Sequence, residues 1–199
     1  VLVLRVALTG GIATGKSFVL EQFRRCGIPC LDADELSHGV TAAGTEATAE
    51  IRDRFGADVL DASGAVDRKR LGPLVFADPA ARRDLEAIIH PAVYRAIAVG
   101  LRAFERLGDS TLGIVDVPLL YETGRDRDFD KVIVTTCRPD TQLARLRARG
   151  LTDGEARQRI AAQLSNDEKS ARADYVIGTD GAFEDTKSQV AAIVAALRS

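Results

Sequence analysis

The residues with the clearest chemical signature lie near the start of the chain, at positions 10–17. Their sequence, Gly-Gly-Ile-Ala-Thr-Gly-Lys-Ser, contains the pattern G-x-x-x-x-G-K-[ST] of a phosphate-binding P-loop. Its glycines permit backbone angles at which consecutive N–H groups converge on one anion. In this pattern Lys16 reaches the β- and γ-phosphates and the Ser17 hydroxyl binds Mg²⁺. The residues predicted to bind the nucleotide are Gly11, Ile12, Ala13, Thr14, Gly15, Lys16, Ser17 and Phe18.

The sequence on either side of this loop supports the prediction. An apolar stretch at 3–8 is typical of a β-strand, and Val19, Leu20 and Phe23 follow at helical spacing. A strand, a glycine-rich loop and a helix therefore stand in the order that a P-loop requires. The alternative, a glycine-rich turn with a surface lysine, does not account for this order.

Composition narrows the classes of protein to consider. The 199 residues suffice for one sizeable α/β core with an inserted subdomain, and the formal net charge of −2 gives no basic surface for nucleic acid. No apolar run approaches the roughly 18 residues of a membrane span. The three cysteines form no disulfide framework, so we expect buried free thiols and a reducing cytoplasm, with no metal at Cys26 and Cys30.

Carboxylates follow two predicted strands. Asp32 and Asp34 come directly after an apolar stretch at 28–31. Asp116 follows the apolar residues of another predicted strand, at 111–118. Because ligands bind beyond the carboxyl ends of parallel strands, Asp34 could accept a proton from a substrate hydroxyl during phosphoryl transfer. It could equally cap the following helix, and one residue could do both. Asp116 fits the strand-end carboxylate that binds Mg²⁺ or its waters, although many buried strands end in aspartate.

The segment between these carboxylates, about 45–106, has a helical pattern and reads as an inserted subdomain that could hold the phosphate acceptor. Asp78-Pro79 is typical of a helix start, and Pro91 is predicted to break or kink that helix after His90. For His90 itself, a local capping role and a ligand role both remain open.

An arginine cluster lies at about 138–172. Arg145 and Arg149 are four residues apart and so share a helix face, and Thr152-x-x-Glu155 is a capping box that opens a second helix with Arg159 and Gln163 on one face. Two such helices fit a lid that neutralises charge on the transferring phosphoryl group. Interspersed acidic residues also allow a simple solvated pair of helices.

Five predicted strands alternate with helices, which indicates a parallel sheet wrapped on both faces. Taken together, the chain resembles the dephospho-CoA kinase family over nearly its full length. The residues that carry the resemblance are Leu8-Thr9-Gly10-Gly11-Ile12 with Gly15-Lys16-Ser17, Asp32-Ala33-Asp34, His90-Pro91, Val117-Pro118-Leu119-Leu120-Tyr121-Glu122, Arg149, Arg159-Ile160-x-x-Gln163 and Ala173-Asp174-Tyr175-Val176-Ile177. One departure is Gly178-Thr179, where the family usually carries Asp-Asn beside the adenine of ATP.

The resemblance implies a fold and a domain layout. The expected fold is α/β, a three-layer α/β/α arrangement like that of P-loop nucleoside-triphosphate hydrolases, with a five-stranded parallel sheet. The single domain, 1–199, would comprise a core (about 1–44, 107–138 and 173–199), a helical CoA-binding subdomain (about 45–106) and a helical lid (about 139–172).

The resemblance also implies an activity, in which ATP with Mg²⁺ phosphorylates the ribose 3′-hydroxyl of dephospho-CoA, the last step of CoA biosynthesis. The expected partners are dephospho-CoA and ATP, with no nucleic acid or membrane, and the protein would be a monomer or small homo-oligomer. The implied roles are general base for Asp34, charge stabilisation for Lys16 and Arg149, Mg²⁺ binding for Ser17 and Asp116, and substrate binding for Asp32, His90 and Leu120.

Two other functions are considered beside this activity, a different kinase and a nucleotide-dependent switch. Another small-molecule or nucleoside monophosphate kinase would share the P-loop and lid, but it would not need His90-Pro91 or the segment from Pro118 to Glu122. A GTP-dependent switch is disfavoured, since the sequence has no Asn-Lys-x-Asp to recognise guanine.

Overall fold

A computed structural model of the protein describes residues 3–107 and 111–198. Within these ranges, five strands form one sheet in the order β2-β3-β1-β4-β5, and the pairings of β1 with β3, β1 with β4 and β4 with β5 are parallel. The strands are β1 Leu4–Gly10, β2 Cys30–Asp32, β3 Leu112–Asp116, β4 Lys131–Thr136 and β5 Tyr175–Gly178. The predicted five-stranded parallel α/β fold is confirmed, and β2 lies at the sheet edge, where a neighbouring proline such as Pro29 is tolerated.

α-Helices follow every strand except β3, and the interval between β3 and β4 contains a short 3₁₀ helix, Asp126–Asp128. The bounds of the α-helices are α1 Lys16–Arg25, α2 Ala33–Val40, α3 Glu46–Phe55, α4 Arg68–Ala77, α5 Pro79–Leu107, α6 Pro139–Ala148, α7 Asp153–Ala161, α8 Asn166–Ala171 and α9 Phe183–Arg198. The capping box predicted at Thr152 and Glu155 is present at the start of α7. A second capping box, Ser165 with Glu168, starts α8 and was missed in the sequence.

Helices cover both faces of the sheet. On one face, Leu112 and Ile114 of β3 belong to a buried apolar cluster with α1 and α9. Side chains alternate along a strand, so Gly113 faces the opposite side, where an added Cβ would lie 2.9 Å from Phe104 of α5. The end of α5 therefore packs on the second face, and the absence of a side chain at Gly113 lets it approach.

The chain divides into two compact units. The first comprises the residues up to Leu31 together with those from Leu101 onward, and the second runs from Asp32 to Gly100. The first unit contains the P-loop and nearly all of the sheet. The second is helical, and its core is formed by Ile51, Val59 and Leu71 with neighbouring apolar side chains.

The long helix α5 begins as predicted but is not broken. Asp78 Oδ1 accepts a hydrogen bond from the Ala80 N–H at 2.7 Å, which satisfies one donor of the first turn. Of the break or kink predicted at Pro91, the break is wrong, because the helix continues from Pro79 to Leu107 with Pro91 inside it. A proline removes one backbone hydrogen bond, and the many bonds on either side of it keep a helix of 29 residues continuous.

The same helix bears on membrane association. By length and composition alone, one helix among the described residues, Pro79–Arg106, could cross a membrane, with a mean hydropathy of 1.2 in its most apolar window. This finding differs from the expectation that no apolar run approaches the length of a membrane span. Core helices of soluble proteins reach the same length and hydropathy, but only 22% of this window is buried inside the protein. Its buried residues, such as Val93 and Ile97, recur four apart along one face.

The cysteines correct one expectation. All three are free, but only Cys137 is buried, and Cys26 is exposed because it is the residue that ends α1. Burial raises the pKa of the partly buried Cys30 thiol to about 12, so this thiol stays protonated at neutral pH.

Candidate active site

The P-loop connects β1 to α1 as its sequence predicts. Gly15 adopts a positive φ of 87°, and Ala13, at 61°, is the one non-glycine residue in the described ranges with a positive φ. No acidic side chain lies in the first turn of α1 and no side chain caps it. The positive end of this helix dipole is therefore open to an anion from outside the chain.

A pair of buried threonines connects the P-loop to β4 by a hydrogen bond between their hydroxyl groups. The hydroxyl groups of Thr14 and Thr135 lie 2.7 Å apart, and the Thr14 hydroxyl donates to the Gly11 carbonyl at 2.8 Å. A Cβ at Gly10 would lie 2.7 Å from the Thr135 carbonyl oxygen, closer than real contacts allow. Gly10 is thus required for packing against β4, in addition to any role in phosphate binding.

Lys16 forms an ion pair with Asp116 at the end of β3. The lysine side chain is 17% exposed and that of the aspartate 4%, so the ion pair is largely shielded from solvent. The parallel pairing of β1 with β3 sets Asp116 beside Leu8, two residues before the loop begins. The residues expected to bind phosphate and Mg²⁺ are therefore brought together by sheet register.

The donors near Lys16 fit a small, hard cation. Ser17 is exposed in the first turn of α1, and its hydroxyl has no hydrogen-bond partner among the described residues. Asp116 supplies a carboxylate nearby. Mg²⁺ prefers oxygen ligands of this kind and usually keeps several waters, so one hydroxyl and one carboxylate are sufficient protein donors when a nucleotide supplies the rest.

Two of the loop residues expected to contact nucleotide already use their N–H groups. The Ile12 N–H donates to Gln163 Oε1 at 2.8 Å, and the Thr14 N–H donates to the Gly11 carbonyl at 3.2 Å. Neither N–H can bind phosphate while these bonds persist. Sequence reasoning could not detect this, because Gln163 is 151 residues away from Ile12.

Arg145 and Arg149 have different surroundings, although the sequence placed them on one helix face. Arg145 donates to the Ala13 carbonyl at 3.1 Å and to the Thr179 hydroxyl at 3.0 Å and carbonyl at 2.6 Å. Arg149 ends α6 and is exposed. Arg145 therefore links the P-loop to the end of β5 by hydrogen bonds. Arg149 has no ion-pair partner in the described chain, so its guanidinium is accessible to a ligand.

Thr179, the departure from the usual Asp-Asn, has a structural role. Its hydroxyl donates to the Thr14 carbonyl at 2.7 Å, and its two oxygens receive the Arg145 guanidinium. The end of β5 is thereby attached to the P-loop. A threonine hydroxyl is short enough to be buried here, at 7% exposure, while serving as donor and acceptor at once.

In the helical unit, the structure distinguishes the two aspartates after β2. Asp32 is the N-cap of α2, and its carboxylate accepts the N–H groups of Asp34 at 2.8 Å and Glu35 at 3.3 Å. The capping role considered for Asp34 therefore belongs to Asp32. Asp34 and His90 are both exposed, so their side chains are accessible to a ligand.

Leu120, for which a substrate-binding role is predicted, has a fully buried side chain. Its carbonyl accepts the Arg125 N–H at 3.0 Å and so stabilises the turn after β3. The structure thus gives Leu120 a packing role, and its contact with substrate stays a prediction.

The neighbouring Glu122 joins this turn to the segment before β5. Its Oε1 accepts the Leu164 N–H at 3.0 Å and lies 2.8 Å from Lys169 Nζ, an ion-pair contact without good hydrogen-bond angles. Lys169 is completely buried, so Glu122 is what compensates its charge.

This pair predicts an asymmetry between two substitutions. Glu122→Ala should lower the free energy of unfolding by about 3–5 kcal/mol, since it leaves a buried ammonium without a counter-charge. Lys169→Met should cost far less, because it removes the charge and fills a similar volume. Urea unfolding of both variants measures the difference in the free energy of unfolding. Equal losses in the two variants would show that the ion pair is not what attaches the segment before β5 to the turn after β3.

Comparison with known proteins agrees with this geometry. The family model described as dephospho-CoA kinase matches residues 4–185. The chain belongs to the dephospho-CoA kinase family. It is 47% identical to a dephospho-CoA kinase of Anaeromyxobacter dehalogenans over 194 residues, covering 97% of this chain and 92% of the relative. Members of the family are kinases, transferases of CoA biosynthesis, and this chain is one of them.

Two solved structures have the same fold as this chain. A protein from Thermus thermophilus is 31% identical with a TM-score of 0.81, covering 98% of both chains. A dephospho-CoA kinase from Campylobacter jejuni is 25% identical with a TM-score of 0.75, covering 97% of this chain and 96% of its own. Both the fold class and the family predicted from the sequence are confirmed.

Proposed function

We propose that the protein transfers the γ-phosphoryl group of ATP to the ribose 3′-hydroxyl of dephospho-CoA, giving CoA and ADP. The observation that carries this proposal is the P-loop with Lys16 paired to Asp116, in a chain of the dephospho-CoA kinase family. The loop would hold the phosphates on those of its backbone N–H groups that are not already bonded, and on the N-terminus of α1.

Two side chains would stabilise the charge of the transferring group. Lys16 would exchange part of its contact with Asp116 for the β- and γ-phosphates, and Arg149 would approach the γ-phosphoryl group from the end of α6. Support comes from the position of Lys16 at the loop and from the exposed, unpaired guanidinium of Arg149 in the described chain. Phosphoryl transfer depends mainly on such positioning and charge stabilisation.

Mg²⁺ would be held by the Ser17 hydroxyl and, directly or through water, by Asp116. The chemistry supplied at this position would be neutralisation of the negative charge on the phosphates. Asp116 would then have two functions, to orient Lys16 and to fix the hydration shell of the metal.

Asp34 would accept the proton of the attacking hydroxyl. In favour of this role, Asp34 is exposed and Asp32, not Asp34, provides the helix cap. His90 would lie on the acceptor side, within a helical CoA-binding subdomain at about 45–106. Residues at about 139–172 would form the lid that excludes water. We place the protein in the cytoplasm, where its three free thiols would stay reduced, as a monomer or small homo-oligomer.

The test is ADP release from ATP and Mg²⁺ with four acceptors in parallel: dephospho-CoA, AMP, CMP and adenosine. Turnover should strongly favour dephospho-CoA, and EDTA should abolish it. Preferred turnover with a nucleoside monophosphate would retain the P-loop argument but reject the acceptor. Undiminished turnover in EDTA would reject the metal site at Ser17 and Asp116.

A further inference from the structure

The peptide groups of Ile12 are bound on both sides by glutamine side chains. Gln163 Oε1 accepts the Ile12 N–H at 2.8 Å, and Gln142 Nε2 donates to the Ile12 carbonyl at 2.6 Å. Asn166 completes the cluster, since its Nδ2 donates to Gln142 Oε1 and to the Cys137 carbonyl, each at 3.3 Å. The P-loop is therefore attached at Ile12 to α6, through Gln142, and to the segment between α7 and α8, through Gln163.

Gln163 occupies a junction in the chain. It lies two residues after the end of α7, the helix that carries Arg159, and the next residue, Leu164, donates its N–H to Glu122 Oε1 at 3.0 Å. The side chain of Gln163 binds the phosphate loop while the backbone beside it binds the turn after β3. Any displacement of this junction would therefore move the P-loop relative to α7.

The chemistry of the position favours glutamine. The Ile12 N–H needs an acceptor, which excludes lysine and arginine, and a carboxylate would place a negative charge next to a loop that binds phosphates. A neutral amide oxygen satisfies the N–H without that repulsion. Gln142, which is buried, supplies the matching neutral donor for the Ile12 carbonyl.

We propose that Gln163 is a positioning residue for phosphoryl transfer, which fixes the P-loop relative to the arginine-bearing helix α7 through the Ile12 N–H. The proposal rests on the proposed function, because it assigns Gln163 a part in that reaction. Gln163 touches no reacting atom. It acts by holding the loop that holds the phosphates, and misplacement by about 1 Å can cost about 100-fold in rate.

The test replaces Gln163 by methionine, which has a similar length and no acceptor of comparable strength. We expect kcat to fall about 10- to 100-fold, with changes in the KM for ATP and the Kd for ADP of about threefold or less. In ¹⁵N-labelled protein the Ile12 amide proton resonance should also shift, because its hydrogen bond is lost. Gln158→Met is the matched control, since Gln158 is an exposed glutamine on α7.

A second variant separates positioning from general loss of structure. Gln163→Glu keeps an acceptor of the same reach, so it should retain kcat within about threefold of the wild type while its KM for ATP rises through like-charge repulsion. If the Glu variant loses as much kcat as the Met variant, or if Gln163→Met loses ADP affinity as strongly as turnover, the positioning role is rejected. Should Gln163→Met fail to fold, the kcat of Gln163→Glu decides.

Wild-type turnover distinguishes the two proposals. If the wild type does not phosphorylate dephospho-CoA, the proposed function fails first, and with it the part assigned to Gln163. If the wild type turns over and Gln163→Met does so at the same rate, the positioning role alone is overturned.

Discussion

Replacing Arg149 by alanine is expected to lower kcat by about 10³–10⁵-fold, the range found when an arginine on a transferring phosphoryl group is absent. The guanidinium is exposed at the end of α6, and no carboxylate among the described residues pairs with it in the free protein. Because its contact would develop fully only in the transition state, nucleotide affinity should change much less than kcat. Steady-state ADP release and calorimetric binding of a non-hydrolysable ATP analogue measure the two effects.

A neighbouring arginine provides the control. Arg147 lies on the same helix and is also exposed, but it is paired with Asp153 at 2.5 and 2.6 Å. Arg147→Ala should therefore leave kcat near the wild-type value, and Arg149→Lys should recover only part of the loss, since an ammonium lacks the planar fork of donors. A defect of Arg149→Ala confined to the KM for ATP would contradict the assignment.

The parts of the fold that depend on local chemistry could be predicted. Buried strands were recognised by continuous apolar runs, and the P-loop by glycines at a fixed spacing. The start of α5 at Asp78-Pro79 and the capping box of α7 follow from hydrogen bonds between residues two or three apart. Such features are encoded within a few residues, so the sequence alone is sufficient to locate them.

The contacts that connect distant segments could not be predicted. Helical spacing placed Arg145 and Arg149 together, but only the three-dimensional structure shows that Arg145 is held by Ala13 and Thr179. Gln163 binds Ile12 across 151 residues, and no local pattern encodes that pairing. The buried position of Leu120 likewise depends on tertiary packing, which a motif does not reveal.

Replacing Asp34 by asparagine is expected to lower kcat by about 10²–10⁴-fold, the usual contribution of a general base, while ATP still binds. The amide has nearly the same shape as the carboxylate but cannot take the proton of the attacking hydroxyl. The helix should be affected only slightly, because Asp32 provides the cap of α2 and Glu35 keeps an acidic residue in its first turn. Turnover with dephospho-CoA, binding of an ATP analogue and thermal unfolding together test this expectation.

Two further variants show whether the effect of Asp34→Asn is chemical. Asp32→Ala removes the cap and should lower stability by about 1 kcal/mol, whereas Asp34→Asn keeps the cap and should lower it less. Glu50→Gln, at an exposed carboxylate on α3, should alter neither stability nor turnover. If Asp34→Asn retains turnover, another group must accept the proton. If it loses stability as Asp32→Ala does, its effect on rate comes from the helix and not from proton transfer.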